Sequence, residues 1–232
     1  KSMKKPKIFI ACDTNKINEI KKIIKFTRTN KLKIGYKFGL EFFLTVKGRS
    51  FISKLKKHEI FLDLKLNDIP NTCAAAIYSL KDLKNLSYLT VHTNGGYEML
   101  KAIKKASKKI NKKLKIIGVT VLTSFSNASI KNVGHTRSIK EIVRKQASLA
   151  KIAGLDGIVC SGYEAKFLKK ICHRMEIITP GIRLKGDNTN DQMRVMSPKD
   201  AFKNGSNAIV IGRSITKGNI KNNIKKLIKS LN

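Results

Sequence analysis

The sequence predicts a single-domain (β/α)8 barrel over residues 1–232, and three observations carry that prediction. Eight short apolar runs recur along the chain, segments with helical spacing separate them, and the length of 232 residues suits one such barrel. Alternating strand and helix demands parallel strands, because a parallel return needs a long crossover. Eight such units suggest a closed barrel; the pattern alone leaves an open doubly wound sheet as the alternative.

Taken in order, the predicted strands are residues 8–12, 32–35, 60–64, 88–92, 116–122, 157–160, 176–179 and 208–211. Ile17, Ile20 and Ile24 repeat at helical spacing after the first run, as do Leu100, Ile103, Ala106 and Ile110 after the fourth. Ile220, Ile224, Leu227 and Ile228 predict a closing helix by the same spacing. No low-complexity linker divides the chain. The longest irregular stretches are 124–138 and 181–198, and the second follows the seventh strand, where barrel enzymes often bind phosphate.

Composition narrows the function. Lys and Arg number 49 against 15 Asp and Glu, a formal net charge of +34. Such a charge suits a nucleic-acid or anionic-membrane partner. Against that, eight of the basic residues are Arg and 41 are Lys, spread along a chain also rich in Ile and Asn, with no aromatic residues interleaved to stack on bases. A compositional bias toward Lys, with no nucleic-acid and no membrane partner, is the reading adopted. An anionic substrate is compatible with either. No stretch approaches 18 uncharged apolar residues and the first residues lack a signal peptide's apolar region, so a cytoplasmic protein is expected. Cys12, Cys73, Cys160 and Cys172 have neither CxxC pairing nor zinc-ligand spacing and read as reduced thiols.

A barrel's active site forms at the C-terminal ends of its strands. The polar residues just past the runs are therefore the candidates: Asp13, then Lys33 within the second run, Asp63, Lys65 and Asp68 at the third, Thr123 and Ser124 at the fifth, Arg183 after the seventh, and Gly212 with Arg213 after the eighth. Asp63 and Lys65 share a face of a regular strand, since side chains repeat every two residues. Carboxylates on both sides would keep a lysine protonated, fit to act as a general acid or to stabilise a carbanion. A structural ion-pair network explains the DxKxxD spacing equally well. Gly181 and Gly212, next to Arg183 and Arg213, suit a phosphate that approaches backbone N–H groups. His58, His92, His135 and His173 form no ligand-spaced cluster, and His92 reads as a core histidine near the rim.

The segment Asp63-Leu64-Lys65-Leu66-Asn67-Asp68-Ile69-Pro70-Asn71-Thr72, taken with Val119-Thr120-Val121-Leu122-Thr123-Ser124, Thr179-Pro180-Gly181-Ile182-Arg183, Asp191-Gln192 and Ile211-Gly212-Arg213, closely resembles the orotidine 5′-monophosphate decarboxylase family, above all its bacterial branch. The resemblance implies decarboxylation of orotidine 5′-monophosphate to uridine 5′-monophosphate in pyrimidine biosynthesis, on a homodimeric barrel that needs no cofactor or metal. It implies that Lys65 donates the proton to C6, flanked by Asp63 and by the partner subunit's Asp68. Lys33 would extend the charge array and, with Asp13, contact the ribose. Thr72 would reach the ribose from the partner, and Thr123 or its neighbour Ser124 would contact the pyrimidine. Arg183, Gln192, Gly212 and Arg213 would hold the phosphate. The wording after Lys33, from Ile34 to Gly39, departs from the commoner family pattern, a departure read as touching no carried-over residue. A magnesium-dependent sugar-phosphate decarboxylase or aldolase on the same barrel is the nearest rival, and the Ile69–Thr72 continuation argues against it. A basic nucleic-acid-binding protein is the rival of another class.

Overall fold

A computed structural model describes residues 5–187 and 195–231. In chain order the elements are β1 (Lys7–Ala11), α1 (Ile17–Phe26), β2 (Lys33–Gly39), α2 (Leu40–Phe43), α3 (Gly48–Lys54), β3 (Glu59–Leu66), α4 (Pro70–Tyr78), β4 (Leu86–His92), α5 (Gly96–Ile110), β5 (Lys115–Val119), α6 (Ile139–Ile152), β6 (Gly157–Val159), α7 (Gly162–Ile171), β7 (Glu176–Thr179), α8 (Pro198–Lys203), β8 (Ala208–Ile211), α9 (Arg213–Thr216) and α10 (Ile220–Leu231). The strands close in sequence order, all parallel, with β8 returning to β1. The predicted barrel is the observed one, and β7 and β8 occupy the predicted residues. Ser138 and Glu141 form a capping box that starts α6, as do Ser161 and Glu164 for α7, satisfying N–H groups that a helix start leaves open.

Period-two alternation sorts each strand between two cores. Ile8, Ile10, Phe38, Leu62, Leu89 and Val91 face outward into the layer shared with the helices. Phe9, Ala11, Phe61, Tyr88, Ile117, Ile178, Ala208 and Val210 fill the barrel itself. Phe9 is the centre of that filling, with its ring edge-on to Phe61 and to Tyr88 at 5.1 Å each. Gly35 makes room for it, because a Cβ there would stand 2.6 Å from the Phe9 ring.

Below the rings the N-terminal mouth is closed by charge. Glu59 binds Lys7 at 3.2 Å and Lys33 at 2.8 Å. Tyr88 accepts a hydrogen bond from Lys7 and donates one to Glu176, both 2.7 Å, and Glu176 also pairs with Lys115. Among the described residues no helix is long and apolar enough to cross a membrane.

Candidate active site

At the other mouth the strand ends surround a cavity of about 750 Å³. Its floor is made by an irregularity in β3. The β3–β4 ladder shifts once between Ile60 and Phe61, pairs Phe61 with Tyr88 and Leu62 with Leu89, then resumes with Leu66 opposite Val91, so Asp63, Leu64 and Lys65 face the single residue Thr90. This bulge bends the strand and re-aims its side chains. Among the described residues Lys65 is the only non-glycine with positive φ, at 49°. A left-handed backbone costs an L-residue about 1–2 kcal/mol. Its N–H donates to the Thr90 hydroxyl at 3.0 Å instead of to a strand carbonyl.

The side chains then converge in alternating sign. Lys65 Nζ donates to Asp63 Oδ2 at 2.9 Å, and Lys37 Nζ reaches the same oxygen at 3.2 Å. Thr90 donates to Asp63 Oδ1 at 2.7 Å, and Lys37 lies 3.7 Å from Asp13. Burial pushes the Asp63 carboxyl up, but the charges of Lys37 and Lys65, with hydrogen bonds from Lys65 and Thr90, outweigh it and hold the group down at about 2. Burial pushes Lys37 down; Asp63 and Asp13 reverse this and raise it. Side-chain exposure is 12% for Asp63 and 13% for Lys37 but 36% for Lys65, so Lys65 is the member of the triplet presented to the cavity. His92, at the end of β4, is lowered first by burial and then by the positive charge of Lys65.

Arg183, Gly212 and Arg213 line the cavity after β7 and β8, and Thr123 lines it after β5. Arg213 opens α9, a short extra helix after β8 of the kind that barrels use at phosphate sites. Among the described residues no group of three or more His, Cys, Asp or Glu is arranged to hold a metal ion.

Asp13, Asp63, Lys65, Thr123, Arg183, Gly212 and Arg213 thus come together as expected. Lys33 does not. It is the first residue of β2, paired in register with Lys7 and bound to Glu59 at the opposite mouth. Lys37 occupies the place assigned to it, because β2 continues four residues beyond Gly35, to Gly39 opposite Asp63. A Gly followed by a polar interruption reads as a strand end; here Gly35 and Lys37 are the inward-facing positions of an unbroken strand. Period two across 33–39 was the available signal for Lys37. Sequence reasoning also misses Thr90, whose signal is the one aliphatic hydroxyl inside the run 88–92. Asp68 and Thr72 lie outside the cavity on the exposed start of α4, where Asp68 accepts the N–H of Ile69 at 2.7 Å. Ser124 is exposed and does not line the cavity, whereas Thr123 does. Gln192 lies outside the described residues.

Fold and site define a barrel enzyme that sets an alternating lysine–aspartate array beneath an arginine-lined cavity, an arrangement suited to stabilising charge on an anionic substrate. The family model described as orotidine 5′-phosphate decarboxylase / HUMPS matches residues 6–226. Over 229 residues the chain is 44% identical to a protein of Wolbachia sp. subsp. Brugia malayi named orotidine 5′-phosphate decarboxylase, covering 97% of this chain and 98% of the relative. A Prochlorococcus marinus protein of the same name is 42% identical over 228 residues, covering 94% and 93%. The crystal structure of orotidine 5′-phosphate decarboxylase from Lactobacillus acidophilus superposes with a TM-score of 0.84 at 32% identity, over 99% of this chain and 100% of the other. The chain belongs to the orotidine 5′-phosphate decarboxylase / HUMPS family.

Proposed function

We propose that the chain decarboxylates orotidine 5′-monophosphate to uridine 5′-monophosphate and CO2 in pyrimidine biosynthesis, without a cofactor, as a cytoplasmic homodimer. The observation that carries this reading is the Asp13–Lys37–Asp63–Lys65 array, with Lys65 held toward the cavity by a left-handed backbone.

Loss of CO2 from C6 leaves an electron pair that the pyrimidine ring barely delocalises, so the barrier must be lowered by charges fixed in advance. Lys65 supplies the cation. It interacts more strongly with a localised carbanion than with a delocalised carboxylate, and that difference lowers the barrier. Lys65 then transfers a proton from Nζ to C6. Asp63, held ionised, faces the departing carboxylate; two unit charges 4 Å apart repel by about 4 kcal/mol at an effective dielectric of 20. Lys37 and Thr90 fix Asp63 in place, and Lys37 takes the role that the resemblance had assigned to Lys33. Asp13 binds ribose hydroxyls beside Lys37, Thr123 contacts the pyrimidine, and Arg183, Gly212 and Arg213 bind the phosphate, with Gln192 completing that set. Phosphate binding, remote from C6, orients the base over the array.

What α4 leaves uncovered supports the dimer. Asp68 and Thr72 are exposed and do not line their own cavity, and the nearby Ile69 and Tyr78 are 66% and 40% exposed. A second copy packed on this face would bury those apolar side chains and bring the partner subunit's Asp68 and Thr72 to the cavity.

Following the ultraviolet change of orotidine 5′-monophosphate with and without chelator tests the activity. Equal rates are expected; loss of turnover in chelator would favour the metal-dependent rival. Mixing inactive Asp63→Ala and Asp68→Ala proteins should restore part of the activity through hybrid dimers with one intact site. Subunit exchange without recovery would rule out the shared site.

A further inference from the structure

We infer that the cleft between α5 and α6 is a second anion site, built for a phosphate-type oxyanion and separate from the decarboxylation site. The cleft encloses about 400 Å³ and shares no lining residue with the active-site cavity. One wall is the turn at Thr93 and Asn94 that leads into α5, and the other is the segment before α6 together with α6 itself.

The key observation is Gln146. Its side chain is more than nine-tenths buried and lines the cleft. Its amide nitrogen donates to Asn94 Oδ1 at 2.6 Å, yet its Oε1 is fully buried with no hydrogen-bond partner in the protein. Leaving an acceptor so placed costs about 1–3 kcal/mol, so a buried amide of this kind calls for a donor from outside the chain. The surroundings identify the rest of the ligand. Among the described residues His135, Arg137 and Lys145 line the cleft and no carboxylate does. The nearby Glu141 is engaged by Ser138, whose hydroxyl and N–H both bond its carboxylate, at 2.7 and 3.1 Å. The 15-residue helix α5 begins at Gly96 on the same wall, adding the positive end of its dipole.

Arg137, Lys145, an N–H of the His135 ring and a helix start call for acceptor oxygens, while Gln146 Oε1 calls for a donor. A carboxylate or sulfate offers acceptors alone at neutral pH. A hydrogen-phosphate carries both, and so does a sugar phosphomonoester, through its oxygens and hydroxyls. The volume lies within the usual span for small-ligand pockets, roughly 300–1,000 Å³, which leaves room for a group esterified to the phosphate.

The test is calorimetric titration of inorganic phosphate and of ribose 5-phosphate into full-length protein whose first cavity has lost its arginines (Arg183→Ala with Arg213→Ala), decarboxylation being measured in the parent background. Ionic strength is kept fixed with chloride, so that general attraction to a basic surface cancels. One saturable site per chain is expected. Tighter binding of ribose 5-phosphate, by tenfold or more, identifies a phosphomonoester as the ligand; equal or weaker binding identifies free phosphate. Arg137→Gln and Lys145→Gln, both exposed positions that the fold tolerates, should each weaken binding by about tenfold and leave decarboxylation at saturating substrate unchanged. Gln146→Leu should abolish binding without loss of thermal stability. The absence of a saturable site, as when a second copy covers the cleft, overturns the proposal. So does binding that survives the Arg137 and Lys145 substitutions. Neither outcome bears on the decarboxylase reading, which the ultraviolet assay decides separately.

Discussion

Both mouths of this barrel are closed by lysines and carboxylates, and the two clusters do different things. At the N-terminal mouth Lys7, Lys33 and Lys115 meet Glu59 and Glu176 around the Tyr88 hydroxyl, directly beneath the Phe9, Phe61 and Tyr88 rings. A register shift lies there too, between Ile60 and Phe61 opposite Leu86 and Tyr88, but among the described residues no non-glycine there takes a left-handed backbone. At the C-terminal mouth a comparable set of charges stands on a bulge, with one lysine in a left-handed backbone, and opens into a cavity lined by two arginines. Charge density is therefore a poor marker of a site. What separates the proposed catalytic cluster from the other is a lysine held in a left-handed backbone and a space above it for a ligand.

Four substitutions or conditions sharpen that contrast, in order of decreasing effect. Lys65→Ala should lower kcat by about 10⁴-fold, the upper range for loss of a positioned general acid, with an unchanged circular dichroism spectrum; turnover within tenfold of the parent would sink the assignment. Lys37→Ala leaves Asp63 buried without its second cation. It should lower kcat/KM by about 10²–10³-fold and stability by about 3 kcal/mol, read from steady-state rates and urea midpoints. Acid comes third. Asp63 is held at about 2 against an ordinary 3.8, so its contribution is complete above pH 4 and is lost as the pH falls toward 2. That contribution is about 2 kcal/mol, and thermal melts of the parent and Asp63→Asn should converge by that amount between pH 4 and pH 2. Lys33→Ala should do least: activity within twofold and a stability change under about 1 kcal/mol, since its pair with Glu59 is half exposed. A large loss of activity there would restore Lys33 to the site and erase the distinction between the mouths.

How much of this was legible depended on whether the sequence kept its period. The apolar runs of β7 and β8 are short, uninterrupted and bounded by polar residues, and their ends fall where the pattern puts them. The second strand, expected over 32–35, runs on to Gly39, past Gly35 and Lys37. Their physical explanation is three-dimensional: Gly35 yields space to Phe9, a residue 26 positions earlier, and Lys37 is tolerated inside the barrel because Asp13 and Asp63 meet it there. The fifth strand was read to residue 122 but ends at Val119, after which Thr120 turns its hydroxyl to the Val159 carbonyl. Asp63 and Lys65 were found together through regular two-residue alternation, and they do meet. The cause is different, since the ladder breaks between them and the bulge brings the side chains together. No local pattern announces that break. The exposure of Asp68 and Thr72 outside the cavity is equally invisible in sequence, because it reflects a surface and not a periodicity.

The left-handed turn at Lys65 implies a trade that can be weighed on a balance of melting temperatures. Lys65→Gly and Lys65→Ala proteins would both be inert, yet glycine accepts φ near 50° freely and alanine does not. The glycine protein should therefore be the more stable of the two despite its looser unfolded chain, and the interval between their melting points would gauge how much folding free energy this chain forgoes to hold up a single ammonium group.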